Sequence, residues 1–71
     1  MYLYRLEAET SAGSFVILIA AEGEEQAFRA AEGHLQQQVL PAPVVTELTL
    51  VEKKRMAPGA GYVVSTGNVQ R

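Results

Sequence analysis

The sequence predicts an α+β fold, a four-stranded antiparallel sheet with one helix packed on one face and elements in the order β-β-α-β-β. Three observations carry this. Apolar residues alternate with period two from Tyr2 to Thr10, run unbroken from Phe15 to Ala21, change to three- and four-residue spacing between Glu22 and Val39, and alternate again after Pro43. Glycine and proline punctuate the joints, at Gly13, Gly23, Pro41, Pro43 and Pro58. Two hairpins separated by a single amphipathic helix are satisfied by an antiparallel sheet with the helix across it.

The first strand, Tyr2 to Thr10, sets Tyr2, Tyr4, Leu6 and Ala8 on one face and Leu3, Arg5, Glu7 and Glu9 on the other, so one side is core and the other mostly wet. Ser11-Ala12-Gly13 supplies small residues and a glycine able to take positive φ, which suits a short hairpin loop. The second strand, Ser14 to Ala21, is apolar on both faces: Phe15, Ile17, Ile19 and Ala21 on one, Val16, Leu18 and Ala20 on the other. It therefore needs cover on two sides.

The helix follows, with Ala27, Phe28, Ala31, Leu35 and Val39 forming its apolar stripe. Gly23 is its N-cap, and Glu24 and Glu25 in the first turn complement the positive end of the helix dipole. Gly33, in mid-helix, costs about 0.8–1 kcal/mol against alanine, or marks a close contact. Pro41-Ala42-Pro43 ends the helix, since proline lacks the amide donor and restricts the residue before it. A third strand, Val44 to Lys53, alternates regularly, and a loop through Pro58 and Gly59 returns the chain into Tyr62 to Ser65 as the fourth. Residues 1–66 form one domain and 67–71 a flexible tail.

Composition narrows the function classes. With 48% apolar and 20% charged residues the chain is an ordinary folded domain, but at 71 residues it is small. Chains of about 60 residues bury only roughly 60% of their unfolded surface, so stability is marginal or shared with a partner. The absence of cysteine excludes disulfides and thiolate metal sites and fits a reducing, cytoplasmic setting. The apolar run Phe15 to Ala21 follows Glu7 and Glu9 rather than a basic segment and is too short to span a bilayer, so no membrane role is expected. Charge is uneven: Arg5 and Arg29 face eight acids in residues 1–52, a net of −6, whereas Lys53, Lys54, Arg55 and Arg71 give the remainder +4.

Catalytic and metal chemistry find little purchase. His34 is the single histidine and flanks the helix stripe; zinc without cysteine or a second histidine would need mostly carboxylate ligands, poor zinc chemistry. Glu22, Glu24, Glu25 and Glu32 match no cation-binding loop, and acids at a helix start have a structural reason. Ser11, Ser14 and Ser65 lack any nucleophile signature. No catalytic residue, metal site or cofactor is assigned, and the chain is expected not to be an enzyme.

Two surface features remain. Lys53-Lys54-Arg55 next to the Gly59-Ala60-Gly61 loop and Tyr62 is a candidate anion site for a phosphorylated ligand or single-stranded nucleic acid, although it lacks the P-loop pattern. Against this stands the bland reading of lysines guarding a sheet edge. Leu3, Val16, Leu18, Ala20 and Val51 share the sheet face away from the helix. If the second strand is central and Leu3 and Val51 lie on its neighbours, they form one patch for a protein interface.

Leu3-Tyr4-Arg5, Ala20-Ala21-Glu22, Glu24 to Phe28, Glu47 to Arg55 and Gly59 to Val64 together resemble a family of short proteins from spore-forming Gram-positive bacteria, grouped as a domain of unknown function. The resemblance spans roughly residues 2–64. It implies an intracellular bacterial protein and brings no activity or site. Members of the family often carry serine, aspartate or asparagine where Gly23 stands, which implies a weaker helix cap here; the tail from Ser65 extends past the similarity. The leading expectation is a non-enzymatic interaction module that forms a homodimer or binds another protein, the alternative a nucleic-acid or phosphorylated-ligand binder.

Overall fold

The computed structural model describes residues 1–61 and 63. Its elements are β1 (Tyr2–Thr10), β2 (Gly13–Ala21), α1 (Glu24–Gln38) and β3 (Val45–Arg55). All three strands join one sheet in the order β2-β1-β3, with β1 antiparallel to both neighbours. The four-stranded expectation is thus corrected to three strands in the order β-β-α-β among the described residues.

The reason lies in where α1 delivers the chain. β2 and β3 are both antiparallel to β1 and so parallel to each other, and a parallel connection calls for a crossover, here the helix. β3 consequently docks on the free side of β1 instead of opening a second hairpin. At Met56 the chain leaves the ladder with a bond from the Met56 N–H to the Met1 carbonyl, 3.2 Å. Ala57–Ala60 then form a turn closed by the Ala60 N–H on the Ala57 carbonyl (2.9 Å), with Pro58 and a positive-φ Gly59 (86°) at its centre. Tyr62, Val64 and Ser65, three of the four residues of the expected fourth strand, lie outside the described residues, as does the 67–71 tail.

The β1–β2 hairpin turns on Ser11 and Ala12, with Thr10 opposite Gly13. Gly13 has φ 115°, a conformation L side chains rarely adopt. Thr10 stitches the turn: its Oγ1 donates to the Gly13 carbonyl (2.8 Å) and accepts from the Ala12 N–H (3.0 Å). Ser11 then ties the turn to the entry of β3, its N–H donating to the Val44 carbonyl and its Oγ accepting from the Val44 N–H, both 2.9 Å.

Alternation assigns the two sheet faces. Tyr4, Leu6 and Ala8 of β1 are fully buried beneath α1, and their partners Ile19, Ile17 and Phe15 lie on the same face. Ala27, Ala31 and Leu35 close the core from the helix side, the two alanines letting the helix approach closely. Gly23 is the N-cap, in extended backbone with no side-chain cap. Gln26 partly substitutes, its Oε1 accepting from the Glu22 N–H at 2.8 Å, a displaced form of the capping box.

β3 departs from regular alternation. Leu50 lies opposite Leu6 but Glu52 opposite Arg5, so Val51 is an extra residue, and a second register shift falls between Glu9 and Thr10. Such bulges change which face the following residues occupy. Leu48 and Leu50 face the helix, and beyond the shift so do Lys53 and Arg55, opposite Tyr4 and Tyr2. Glu52 and Lys54 go to the other side. The body is 17 Å in its shortest dimension, two layers deep, and among the described residues no element packs on the second sheet face.

Candidate functional site

That second face is built row by row. Its central row, on β1, runs Leu3, Arg5, Glu7, Glu9; on one flank β2 places Ala20, Leu18, Val16 and Ser14, and on the other β3 places Lys54, Glu52, Thr49 and Glu47. The Arg5 guanidinium donates to the Glu7 carboxylate at 3.2 Å, and Ser14 Oγ donates to Glu9 Oε1 at 2.7 Å. The centre of the face is therefore polar and internally bonded.

The apolar residues collect at one side. Val16 and Leu18 are 45% and 47% exposed, and with Ala20 they form a stripe along β2, the outer strand. Leu3, half-buried, adjoins it beside Ala20. Val51 does not: it is the bulge residue of β3, on the far side of β1, with the Arg5 and Glu7 row between. The premise of a central second strand thus gives way to a central β1, and the five-residue patch resolves into a four-residue stripe and a separate valine.

Around the edge of β2, on the helix side, a groove of about 300 Å³ is lined by Phe15, Ile17, His34, Leu35, Gln38 and Val39. It was not legible in the sequence, because it depends on the helix lying closer to β2 than to β3. The phase of Leu35 and Val39 against Phe15 and Ile17 is the one signal that hints at it. His34 Nδ1 lies 2.7 Å from Gln38 Nε2, and both side chains are exposed.

The basic cluster is divided by the strand it sits on. Lys53 lies over the Tyr2 ring at 4.3 Å on the helix side, within range of a cation–π contact, and Arg55 shares that face. Lys54 points the other way, into a hollow lined by Glu52, Gly59, Gly61 and Val63. The glycine loop and a lysine do meet, but with a carboxylate among them. Tyr62, the fourth member of the candidate anion site, lies outside the described residues. Among those residues no group of three or more histidine, aspartate or glutamate side chains comes together, and no helix is long and apolar enough to cross a membrane. The Ser11 hydroxyl accepts from the Val44 N–H at the entry of β3, and the Ser14 hydroxyl donates to Glu9.

The fold and its exposed edge define a small two-layer α+β domain whose distinguishing surface is an apolar outer strand. The chain belongs to the family described as Protein of unknown function (DUF3906), whose model matches residues 1–64. The family resemblance read from the sequence over residues 2–64 is borne out at that level. No curated protein and no solved structure matches the chain.

Proposed function

We propose that this protein is a non-enzymatic interaction module of the bacterial cytoplasm that acts by self-association through the β2 side of its sheet. The observation that carries the reading is the half-exposed stripe of Val16 and Leu18 on a sheet face that no described element covers. Apolar area buried against a partner stabilises by about 25 cal/mol per Å², so a stripe of this kind doubled by symmetry supplies several kcal/mol before association costs. The polar row of Arg5, Glu7 and Glu9 beside it acts as a rim, fixing orientation rather than adding affinity.

The test is mass in solution at micromolar concentration, by light scattering or sedimentation, for the unmodified chain and for Leu18→Glu. The expected result is a dimer that becomes monomeric on substitution while its circular dichroism is unchanged. A chain that is monomeric at the outset defeats the proposal, as does a dimer indifferent to a carboxylate at position 18.

A further inference from the structure

We propose that two copies of this chain join β2 to β2, antiparallel and centred on Ile17, into one continuous six-stranded sheet. This rests on the self-association reading and adds the edge, the register and the number of copies at which assembly stops.

The two edges of the sheet are unlike. β3 carries Glu47, Glu52, Lys53, Lys54 and Arg55 and two register shifts, the devices by which sheet edges are protected from pairing. β2, Gly13–Ala21, has no charged residue, no proline and no irregularity in its ladder. Self-pairing of β2 sets no like charges opposite each other. An unprotected edge that is also apolar on both sides fits a partner strand of the same kind.

The available hydrogen bonds fix the parity. Met1 and Ser11 both bond to the β3 side of β1, so odd-numbered residues of β1 point their backbone groups at β3 and even-numbered ones at β2. Their β2 partners in those bonds are the odd-numbered residues. Ser14, Val16, Leu18 and Ala20 therefore turn their N–H and C=O outwards, where no described strand pairs with them.

Among registers of that parity, the one centred on Ile17 pairs all nine residues of β2. It sets Val16 against Leu18 of the second copy and Ser14 against Ala20, as hydrogen-bonded pairs. On the face away from the helix Val16 and Leu18 of one copy pack flank to flank against Leu18 and Val16 of the second, and the apolar area buried there is the facing sides of the two stripes. On the helix side Phe15 and Ile17 of the second copy extend the groove wall opposite His34, Leu35 and Gln38, and the half-buried Phe15 and Ile17 of each copy gain cover from one another. The outer edges of the six-stranded sheet are then two copies of β3, both protected, so the assembly closes at two.

The chain's lack of cysteine provides a clean test. At the two-fold axis the two Ile17 Cα atoms lie about 4.5 Å apart, a non-hydrogen-bonded pair within disulfide reach. The two Ser14 Cα atoms lie about 20 Å apart. Under mild oxidation Ile17→Cys is expected to cross-link into a covalent dimer at least about tenfold faster than Ser14→Cys. Should the partly buried Ile17→Cys fail to fold, the exposed variants Val16→Cys and Leu18→Cys decide: mixed, they cross-link to each other faster than either does to itself. Val16→Pro removes an outward N–H without touching the β1 ladder, and twice over by symmetry, so it weakens the dimer about tenfold or more relative to Val16→Ala. A dimer that persists with no preference at position 17 and no response to Val16→Pro overturns the edge pairing and leaves self-association standing. A chain that stays monomeric overturns both.

Discussion

Tyr4 and Leu6 occupy successive inward positions on β1, are the two largest fully buried side chains, and carry opposite liabilities. Leu6 is wholly apolar, packed between Ile17 and Leu50. Truncating it to alanine removes buried methyl groups and leaves a cavity, costing about 2–5 kcal/mol. For a domain of this size, with a total of roughly 4–10 kcal/mol, that is enough to bring unfolding close to ambient temperature. Leu6→Ala is thus expected to lose its cooperative thermal transition in circular dichroism. Tyr4, by contrast, buries a hydroxyl that finds no hydrogen-bond partner. An unpaired buried hydroxyl costs about 1–3 kcal/mol, so Tyr4→Phe keeps the ring, removes the penalty, and is expected to raise the urea midpoint. A lowered midpoint would show that the hydroxyl is satisfied in solution.

At the scale of the element, α1 is held by its packing more than by its ends. Its N-cap offers no side chain and its last turn no basic residue. Gly33 adds a backbone penalty, and the space around it shows why the close-contact explanation fails: a Cβ placed there meets nothing within 4 Å. Gly33→Ala should accordingly stabilise the fold by about 0.8–1 kcal/mol, read as a shift of the denaturant midpoint with an unchanged slope. The helix itself was legible because its stripe repeats over four turns, β1 because its alternation is unbroken, and β2 because a short, continuous apolar run between Gly13 and Gly23 fits a strand. β3 was legible in extent but not in facing, since nothing in Leu50-Val51-Glu52 announces a bulge; a strict alternation puts Lys53 on the wrong face. The expected fourth strand rested on the three apolar residues Tyr62, Val63 and Val64, a run too short to specify pairing without a neighbour to dictate register. Strand order was equally hidden, because alternation states which face a residue takes and never which strand lies beside it. The stripe of Val16 and Leu18 could therefore be read from the sequence, whereas its place at an edge and its separation from Val51 could not.

For the whole molecule, the question is how a two-layer body 17 Å thick, whose core among the described residues is a handful of buried side chains centred on Tyr4, Leu6 and Ile19, holds together. A sheet covered on one side leaves its second face to water, and here the middle of that face is made tolerable by the Arg5–Glu7 pair and the Ser14–Glu9 bond. The outer strand has no such provision. Pairing it with a second copy converts two marginal cores into one longer sheet and removes the exposed edge in the same step, so folding and association become linked. Linkage has a thermodynamic signature that contact geometry alone lacks. Where the native state is a dimer and the unfolded state a monomer, each tenfold rise in concentration stabilises the dimer by about 1.4 kcal/mol, shared between two chains. For chains of this length that is an increase of about 3–5 °C in Tm per decade of concentration. Leu18→Glu and Val16→Pro are both expected to flatten that dependence and to melt at the temperature the unmodified chain approaches on dilution. A Tm that is independent of concentration across three decades would mean that the single helix and β1 suffice, and that the apolar outer strand is tolerated rather than used.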